Sequence, residues 1–361
     1  MPLSANQDFF LQLVRIGIGN ENPERVVVPN PIDWNGLEAL AAEQGLSAVL
    51  VDGVEKLPEG QKPPEPVLLQ WIGEALQGYE YRYELYRRTI AEMAAFYYEH
   101  GFKMMVMKGY ACSLDWPKSE HRPCGDIDIW LFGKQKEADA LLTREKGITI
   151  DQSHLHHTVF YWRDFMVENH YEIVDTMSSR SNAKIEKLLE ELAMNDKHAV
   201  EVYGEKVWIP SPDFHALFLL RHAILHFTVD EMNIRHALDW GFFVKQNGSK
   251  INWDWLLSIL DEFKMSDFFD CLNAICIEDL GFDPALFPHV SAEIASRDKV
   301  IVDLLSPAVQ NEEPKQLVRR IIFKYHRRKE RKWKHDLCYN DPMWSHLLSS
   351  LWLHIRHPEM I

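Results

Sequence analysis

The chain has 361 residues and a formal net charge of −15, and 46% of its residues are apolar while 26% are charged. This composition excludes a mostly disordered chain, and the length is sufficient for two or three packed units. A globally acidic protein repels nucleic acid unless its basic residues are gathered locally. The charge therefore does not indicate a nucleic-acid partner, although it does not exclude one.

The sequence lacks the marks of a membrane-bound or secreted protein. It contains no run of about 18 uncharged apolar residues, and residues 1–20 lack the basic start, apolar run and cleavage site of a secretory signal. Its five cysteines are widely spread and without a Cys-x-x-Cys motif, which is typical of free thiols in a reducing compartment. We therefore expect a cytoplasmic protein with no membrane partner.

Helices are predicted for the first part of the chain, residues 1–101, which we interpret as an N-terminal helical region. Apolar residues recur at helical spacings from Phe9 to Ile16 and again from Val67 to His100. Gly101 follows the second run and suits the left-handed position that often ends a helix.

The periodicity changes between residues 102 and 210. Strand-like runs occupy residues 103–107, 126–131, 158–162 and 165–174, with a predicted helix at 137–146 and a predicted hairpin at Tyr203-Gly204. Strands mixed with helices in this way predict a small α/β unit.

From residue 211 to residue 361 the pattern is helical again. Ser211-Pro212-Asp213 predicts a helix start, because a capping oxygen is followed by proline at the first helical position. Further helices are predicted for residues 232–245, 253–263, 268–280 and 316–332. The sequence as a whole predicts an α+β fold, in which a small mixed-sheet core is flanked by N-terminal and C-terminal helical regions.

The segment that points to chemistry is Gly125-Asp126-Ile127-Asp128. Residues i and i+2 of a strand share a face, so the two aspartates project together, roughly 6–7 Å apart at the backbone. Carboxylates this close repel each other unless a cation lies between them, and Mg²⁺ prefers such hard oxygen ligands. Phosphoryl transfer often uses two metal ions about 3.5–4 Å apart, and Glu168, in a later strand-like run, is the candidate third ligand.

Glycines near this pair strengthen the indication. Gly125 allows the chain to turn sharply into the strand. Gly109, which follows Lys108, allows backbone to approach a phosphate and opens a short helix whose N-terminus attracts anions. An Asp-x-Asp pair taken alone is weak support, because solvated carboxylate pairs are common on protein surfaces, and that interpretation stays open.

A family resemblance rests on a set of short segments. They are Lys108-Gly109, Arg122-Pro123, Gly125-Asp126-Ile127-Asp128, Val167-Glu168-x-His170 and Arg235-His236-Ala237-Leu238-Asp239-Trp240. The glycine turn, the Asp-x-Asp pair and the later acid resemble the polymerase-beta-type nucleotidyltransferase superfamily. More narrowly, the chain resembles a group of bacterial uncharacterised nucleotidyltransferases, so the mixed-sheet core is expected to be a nucleotidyltransferase core.

The resemblance implies a role for each matching residue. Asp126, Asp128 and Glu168 are the implied catalytic acids and ligands of magnesium or manganese. The residues implied in nucleotide binding are Lys108, Gly109, Tyr110, Arg122 and Gly125. Tyr110 stands where the wider superfamily usually has a serine that contacts the triphosphate, so Lys108 or Arg122 is expected to supply the positive charge instead.

The implied reaction is attack by an acceptor nucleophile on the α-phosphate of a nucleoside triphosphate, with release of pyrophosphate. The sequence identifies neither the acceptor nor which nucleotide is used. Two alternatives stay open. A metal-dependent glycosyltransferase also uses Asp-x-Asp, but such enzymes usually place a nucleotide-binding α/β region before the motif, whereas here a mostly helical region precedes it. A non-catalytic nucleotide-binding module is the other alternative, although such a module has no need of three acids.

Two groups of histidines are weaker indications of a site. His154, His156 and His157 lie together beside a strand, but nothing near them specifies a zinc site. His222 and His226 are one helical turn apart, yet they lack the adjacent glutamate of the zinc-protease motif. We interpret both groups as ordinary polar, surface or core residues.

Basic charge is concentrated in residues 315–334, which hold ten lysines and arginines and one acid. We predict that this segment forms a helix that packs by its apolar side. Its charges are interpreted either as a solvated face that pairs with the excess acids or as a positive wall for phosphate.

Overall fold

The structure is a computed structural model in which the described residues are 3–154, 156–176, 179–195, 198–229, 232–288, 296–306, 316, 319, 323, 326–327 and 329–340. These residues form a mixed α+β fold built around a six-stranded sheet. The predicted fold class is confirmed at that level.

The strands are β1 (Met105–Val106), β2 (Ile127–Trp130), β3 (His157–Trp162), β4 (Phe165–His170), β5 (His198–Val202) and β6 (Glu205–Ile209). Their order across the sheet is β3-β4-β2-β1-β6-β5. β2 is parallel to β4 and antiparallel to β1, while β1 is parallel to β6, and each edge of the sheet is an antiparallel hairpin. β2 therefore lies in the interior of the sheet, with a neighbour on each side.

The described α-helices are α1 (Ala5–Gly17), α2 (Trp34–Glu43), α3 (Ser47–Glu55), α4 (Glu65–Ala75), α5 (Arg82–Glu99), α6 (Lys108–Ser113), α7 (Gln135–Lys146), α8 (Arg180–Asn195), α9 (Pro212–Thr228), α10 (Ile234–Asn247), α11 (Trp253–Glu262), α12 (Ser266–Ala274), α13 (Arg297–Leu304) and α14 (Lys332–Cys338). Two π-helical segments, Leu76–Tyr81 and Ile275–Asp279, continue α4 and α12. In the part of the chain that the structure describes, no helix combines the length and apolarity needed to cross a membrane.

The pleat of β2 directs its side chains to two different environments. Ile127 and Ile129 are fully buried on one face, where they share an apolar core with α5 and α7. Asp128 and Trp130 point to the other face, and Trp130 joins a second core formed with the remaining helices. The sheet is therefore covered on both sides, and Asp128 lies in its interior.

The second core joins helices from both ends of the chain. Residues of α1, α2 and α3 pack in one cluster with residues of α9 to α13, whereas α5 packs on the sheet. The predicted division into residues 1–101, 102–210 and 211–361 stays a prediction.

Three predicted strands are shorter in the structure. β1 covers only Met105–Val106 of the predicted run 103–107, and the shortening of β2 and β4 changes where their acids lie. β2 begins at Ile127, so Asp126 precedes the strand instead of opening it. β4 ends at His170, so Glu172 and Asp175 lie in the loop that follows and do not share its faces.

Two further corrections concern the helices. α8 was not predicted. α9 begins at Pro212 as expected, but the hydroxyl of Ser211 makes no capping hydrogen bond. Nine of the twenty residues of the basic segment 315–334, including the apolar positions 317–318, 321–322 and 325, lie outside the described residues, so the prediction that its helix packs by an apolar side stays a prediction.

Helices α1 and α3 approach each other through two glycines. A Cβ atom placed on Gly53 would lie 2.2 Å from the carbonyl oxygen of Leu13, and one placed on Gly17 would lie 2.4 Å from that of Val49. Both obstacles are backbone atoms, which cannot rotate aside as a side chain can. The close packing of α1 on α3 therefore requires glycine at both positions.

We predict that Gly53→Ala lowers the free energy of unfolding by about 1–3 kcal/mol, because the added methyl group forces α1 and α3 apart. Gly73→Ala is the matched control, since a Cβ at this position in α4 meets no atom within 4 Å. The control should raise the free energy of unfolding by roughly 0.5–1 kcal/mol through its better helix propensity. Chemical denaturation measures both, and equal stability of Gly53→Ala and the native protein would contradict the packing argument.

Candidate active site

Strand pairing brings two of the predicted acids side by side. Asp128 of β2 pairs with Glu168 of β4 in the parallel register, and Trp130 pairs with His170. Residues paired across adjacent strands share a face, as do residues i and i+2 of one strand. Asp128, Glu168 and His170 consequently converge, and one potential ligand atom from each lies within 4.8 Å of the others.

The carboxylate of Asp128 is only 1% exposed and is held by two basic groups. Lys108 Nζ donates to Oδ1 at 2.7 Å, and His170 Nε2 donates to the same oxygen at 2.9 Å. Burial by itself raises the pKa of a carboxyl, but the charge of Lys108 and the hydrogen bond from His170 outweigh it and hold the pKa of Asp128 well below its usual range. Asp128 is therefore ionised at neutral pH.

His170 lies between the two acids, with Nε2 at 2.9 Å from Asp128 and 3.5 Å from Glu168. Burial lowers the pKa of a histidine, yet the hydrogen bonds to both carboxylates raise the pKa of His170 above its ordinary value. Burial likewise acts to raise the pKa of Glu168, but the hydrogen bond from His170 and the charge of Lys108 leave it lowered. The two acids are thus balanced by the ammonium group of Lys108 and by a histidine whose protonated form is favoured.

Asp126 differs from the other two acids because its carboxylate has no basic partner at ion-pair distance among the described residues. It is half-buried just before β2. Burial and the charge of Asp128 raise the pKa of Asp126 above its ordinary value. A cation bound beside it would relieve this unfavourable charge.

The position of Asp126 depends on a close contact at Gly109. The hydroxyl of Tyr86 donates to the carbonyl oxygen of Asp126 at 2.9 Å, and a Cβ on Gly109 would lie 2.6 Å from that hydroxyl. Glycine at position 109 therefore has a structural role, because a Cβ atom there would collide with the Tyr86 hydroxyl. Lys108, immediately before it, has a φ of +40°, a conformation that is costly for a residue with a side chain and is often found at functional sites.

The acids open on a cavity of about 430 Å³ that is enclosed by the sheet and by helices α9 and α10. The sheet side contributes Asp126, Asp128, His157, Glu168 and His170. The helical side contributes His222, His226, Arg235, His236 and Asp239. The cavity therefore combines an acidic part with a part rich in arginine and histidine.

Four of the five residues predicted to bind nucleotide line this cavity, namely Lys108, Gly109, Arg122 and Gly125. Tyr110 does not line it; the tyrosine is 3% exposed and packs in the core that includes α5 and α7. Gly125 does not adopt the left-handed backbone that would require glycine, and a Cβ there would meet open space. Its predicted sharp turn is therefore not the reason for glycine at this position.

Arg122 is engaged in a buried ion pair with Asp239 of α10. Its Nε and Nη2 donate to the two carboxylate oxygens at 2.8 and 2.9 Å, and its Nη1 donates to the carbonyl oxygen of Pro123 at 3.2 Å. The indole Nε1 of Trp116 also donates to Asp239, at 2.8 Å. The ion pair joins the segment before β2 to α10, and it leaves little of the charge of Arg122 for a phosphate.

Several site residues were not recognised from the sequence. His170 could have been found, because it alternates with Glu168 on one strand face. Arg235 and His236 could not, because their position depends on how α10 packs. His236 completes a second convergent group with His222 and His226, whose potential ligand atoms also lie within 4.8 Å of one another.

The histidines beside β3 lie next to the acidic residues of the cavity. His157 Nε2 lies 3.8 Å from Glu168, and burial lowers the pKa of His157 to about 4. The rings of His154 and His156 lie 4.5 and 4.4 Å from that of His157. These rings therefore flank the acidic part of the cavity.

The acidic part of the cavity fits a divalent cation. Asp128 and Glu168 converge, and the uncompensated carboxylate of Asp126 adds a further hard oxygen ligand of the kind that Mg²⁺ and Mn²⁺ prefer. Lys108 and His170 supply positive charge to the same acids, and a bound metal would share that task.

Comparison with known proteins gives the class of the chain. Residues 30–279 match the family described as uncharacterised nucleotidyltransferase, and the chain belongs to that family. Every cavity residue named above lies within the matched range. Membership makes the chain a transferase by class, with a nucleotide as the implied substrate. No curated protein and no solved structure matches the chain.

We predict opposite effects on stability for the two aspartates when metal is removed with EDTA. Asp128→Asn should lower the free energy of unfolding by about 3 kcal/mol, because it breaks buried contacts with Lys108 and His170. Asp126→Asn should raise the melting temperature at neutral pH, because it removes a carboxylate whose charge is unfavourable. Denaturation in EDTA measures both effects, and a stabilised Asp128→Asn protein would show that Asp128 is not compensated as described.

Proposed function

We propose that the chain transfers a nucleoside monophosphate from a nucleoside triphosphate to an acceptor, with Asp126, Asp128 and Glu168 as the catalytic acids. The observation that supports this most directly is the pairing of Asp128 with Glu168 across β2 and β4, at a cavity that Asp126 also lines. Membership of a nucleotidyltransferase family supports the reaction class. The acceptor is left unassigned.

The same arrangement supports placing the core in the polymerase-beta-type superfamily. A glycine precedes an Asp-x-Asp pair that leads into a strand, and a third acid lies on the neighbouring parallel strand. In this proposal Asp126, Asp128 and Glu168 hold Mg²⁺ or Mn²⁺. When bound, the ion supplies charge neutralisation to the phosphate groups.

Lys108 and Glu168 would have separate roles in the reaction. Lys108 lines the cavity and already points its ammonium group at the acids, so it is placed to contact a phosphate oxygen. Glu168, ionised at neutral pH, would accept the proton of the acceptor hydroxyl. As the acceptor oxygen bonds to the α-phosphorus, the bond from that phosphorus to the bridging oxygen breaks, and pyrophosphate leaves with the bonding electrons.

We predict that Asp126→Asn and Asp128→Asn each abolish metal-dependent binding of nucleoside triphosphate or reduce turnover at least about 100-fold, since a lost metal ligand removes several kcal/mol of charge neutralisation. Calorimetric titration of the four triphosphates, with Mg²⁺ and then with Mn²⁺, measures the binding. Asp164→Asn, at an exposed position between β3 and β4, is the control and should behave as the native protein. The assignment is refuted if Mg²⁺ and Mn²⁺ do not strengthen triphosphate binding by the native protein, or if they strengthen it equally in both variants.

We predict that Glu168, and neither Glu172 nor Asp175, is the third acid. Glu172 accepts hydrogen bonds from the backbone and hydroxyl of Thr176, which turns its carboxylate toward its own loop. Glu168→Gln should lower turnover much more than triphosphate affinity, whereas Glu172→Gln and Asp175→Asn should keep most of the turnover. Pyrophosphate release is the measurement, and the assignment fails if Glu172→Gln or Asp175→Asn is the inactive variant.

A further inference from the structure

The helical side of the cavity contains a basic residue that the acidic site does not use. Arg235 lies in the first turn of α10, is largely buried and lines the cavity next to His236. No sequence pattern indicates a role for Arg235 beyond its place in the segment from Arg235 to Trp240.

Arg235 has no anionic partner among the residues that the structure describes. Its Nε atom is buried without a hydrogen-bond partner. Asp239 and Asp126 are close enough for their charges to act on Arg235, but Asp239 already accepts hydrogen bonds from Arg122 and Trp116. The Nε atom is therefore a buried donor without an acceptor, and such a donor costs free energy in the folded state.

Arg122 provides the comparison within the same cavity. Its guanidinium is neutralised by the two carboxylate oxygens of Asp239, and its third nitrogen bonds to a backbone carbonyl. Arg235 has a similar position on the cavity wall without any such partner in the described residues. This difference points to a partner that comes from solution and carries negative charge.

The neighbouring histidines favour an anion over a metal ion. His222, His226 and His236 converge closely enough to hold a metal. The charged groups that act on His222 and His236 are mostly positive, namely Lys108, Arg122 and Arg235, and the one acid among them, Asp239, is already paired with Arg122. Burial, and then the charge of Lys108, lower the pKa of His222 far below its ordinary value, and burial and Arg235 lower that of His236 to about 3. Neutral rings in a positive environment offer N–H donors to an anion, while the environment repels a divalent cation.

We propose that Arg235 binds phosphate oxygens of a polyphosphate chain in the cavity, next to the ring N–H groups of His222 and His236. This rests on the proposed function, because the polyphosphate is taken to be the pyrophosphate part of the nucleoside triphosphate. The planar guanidinium can donate to two phosphate oxygens at once. Asp126 lies within the electrostatic reach of Arg235, so the anion site adjoins the acidic site.

The test is calorimetric titration of pyrophosphate into the full chain in EDTA, so that no metal contributes. The native protein binds pyrophosphate, Arg235→Gln weakens that binding at least about tenfold, and Arg235→Lys gives an intermediate loss, because lysine keeps the charge but not the forked donor geometry. Arg144→Gln, at an exposed position on α7, is the control and leaves the affinity unchanged. A nucleoside triphosphate displaces the bound pyrophosphate. Displacement by inorganic phosphate at a lower concentration than by the triphosphate would identify inorganic phosphate as the ligand and overturn the assignment to a polyphosphate.

A thermal melt of the same variants separates binding from structure. Arg235→Gln should melt at the same or a higher temperature than the native protein, since it removes a buried charge without a partner. Loss of binding together with a clear drop in melting temperature would overturn the proposal, because Arg235 would then hold the fold together. Unchanged pyrophosphate affinity in Arg235→Gln overturns it directly.

Two further outcomes keep this inference distinct from the proposed reaction. Asp128→Asn should lose turnover but keep pyrophosphate binding in EDTA. If no transferase activity exists and pyrophosphate still binds through Arg235, the anion site stands and the reaction does not. Tight Co²⁺ binding that His222→Gln abolishes would assign the histidines to a metal and overturn their place in the anion site.

Discussion

The neutralisation of Asp128 is the interaction on which the rest of the site depends. A carboxylate in the interior of a sheet is costly unless positive charge reaches it, and here Lys108 and His170 both contact one oxygen. The two basic residues are positioned by different elements. Lys108 lies at the start of α6 in an unfavourable backbone conformation, and His170 is positioned by the pairing of β4 with β2. The same pairing of β4 with β2 places Glu168 beside Asp128. The strand that brings His170 to Asp128 therefore also positions the second acid.

The cavity is electrostatically divided, and this suits a substrate that carries both a metal ion and phosphate. Its acidic part has one carboxylate, Asp126, without compensation, and its helical part has one guanidinium, Arg235, without a partner in the described residues. The two groups act on each other through space without forming an ion pair. A metal–triphosphate complex would satisfy both at once, because it presents positive charge to the acids and negative charge to the arginine.

The sequence was sufficient for the parts of this arrangement that depend on local periodicity. Short motifs singled out Asp126, Asp128 and Glu168, which line one cavity in the structure, and the mixed α+β class followed from the change in period along the chain. Properties that depend on tertiary packing could not be predicted from the sequence. Nothing in the spacing indicated that Arg122 is neutralised by Asp239, that Tyr110 turns into the core, or that Gly109 admits the hydroxyl of a tyrosine from α5. Each of these is decided by a residue far away in the chain.

Contacts between helices that are far apart in the sequence limit the order in which the chain can fold during synthesis. The side chain of Gln44, just after α2, donates to the carbonyl oxygen of Leu304, 260 residues later, and α1 to α3 share their core with α9 to α13. Contacts of such long range make folding slow, and apolar surface that waits for its partner is prone to aggregation. The first helices leave the ribosome long before that partner exists. The chain can therefore complete this core only after α13 has been synthesised, and until then the apolar faces of α1 to α3 lack the helices that cover them in the folded protein.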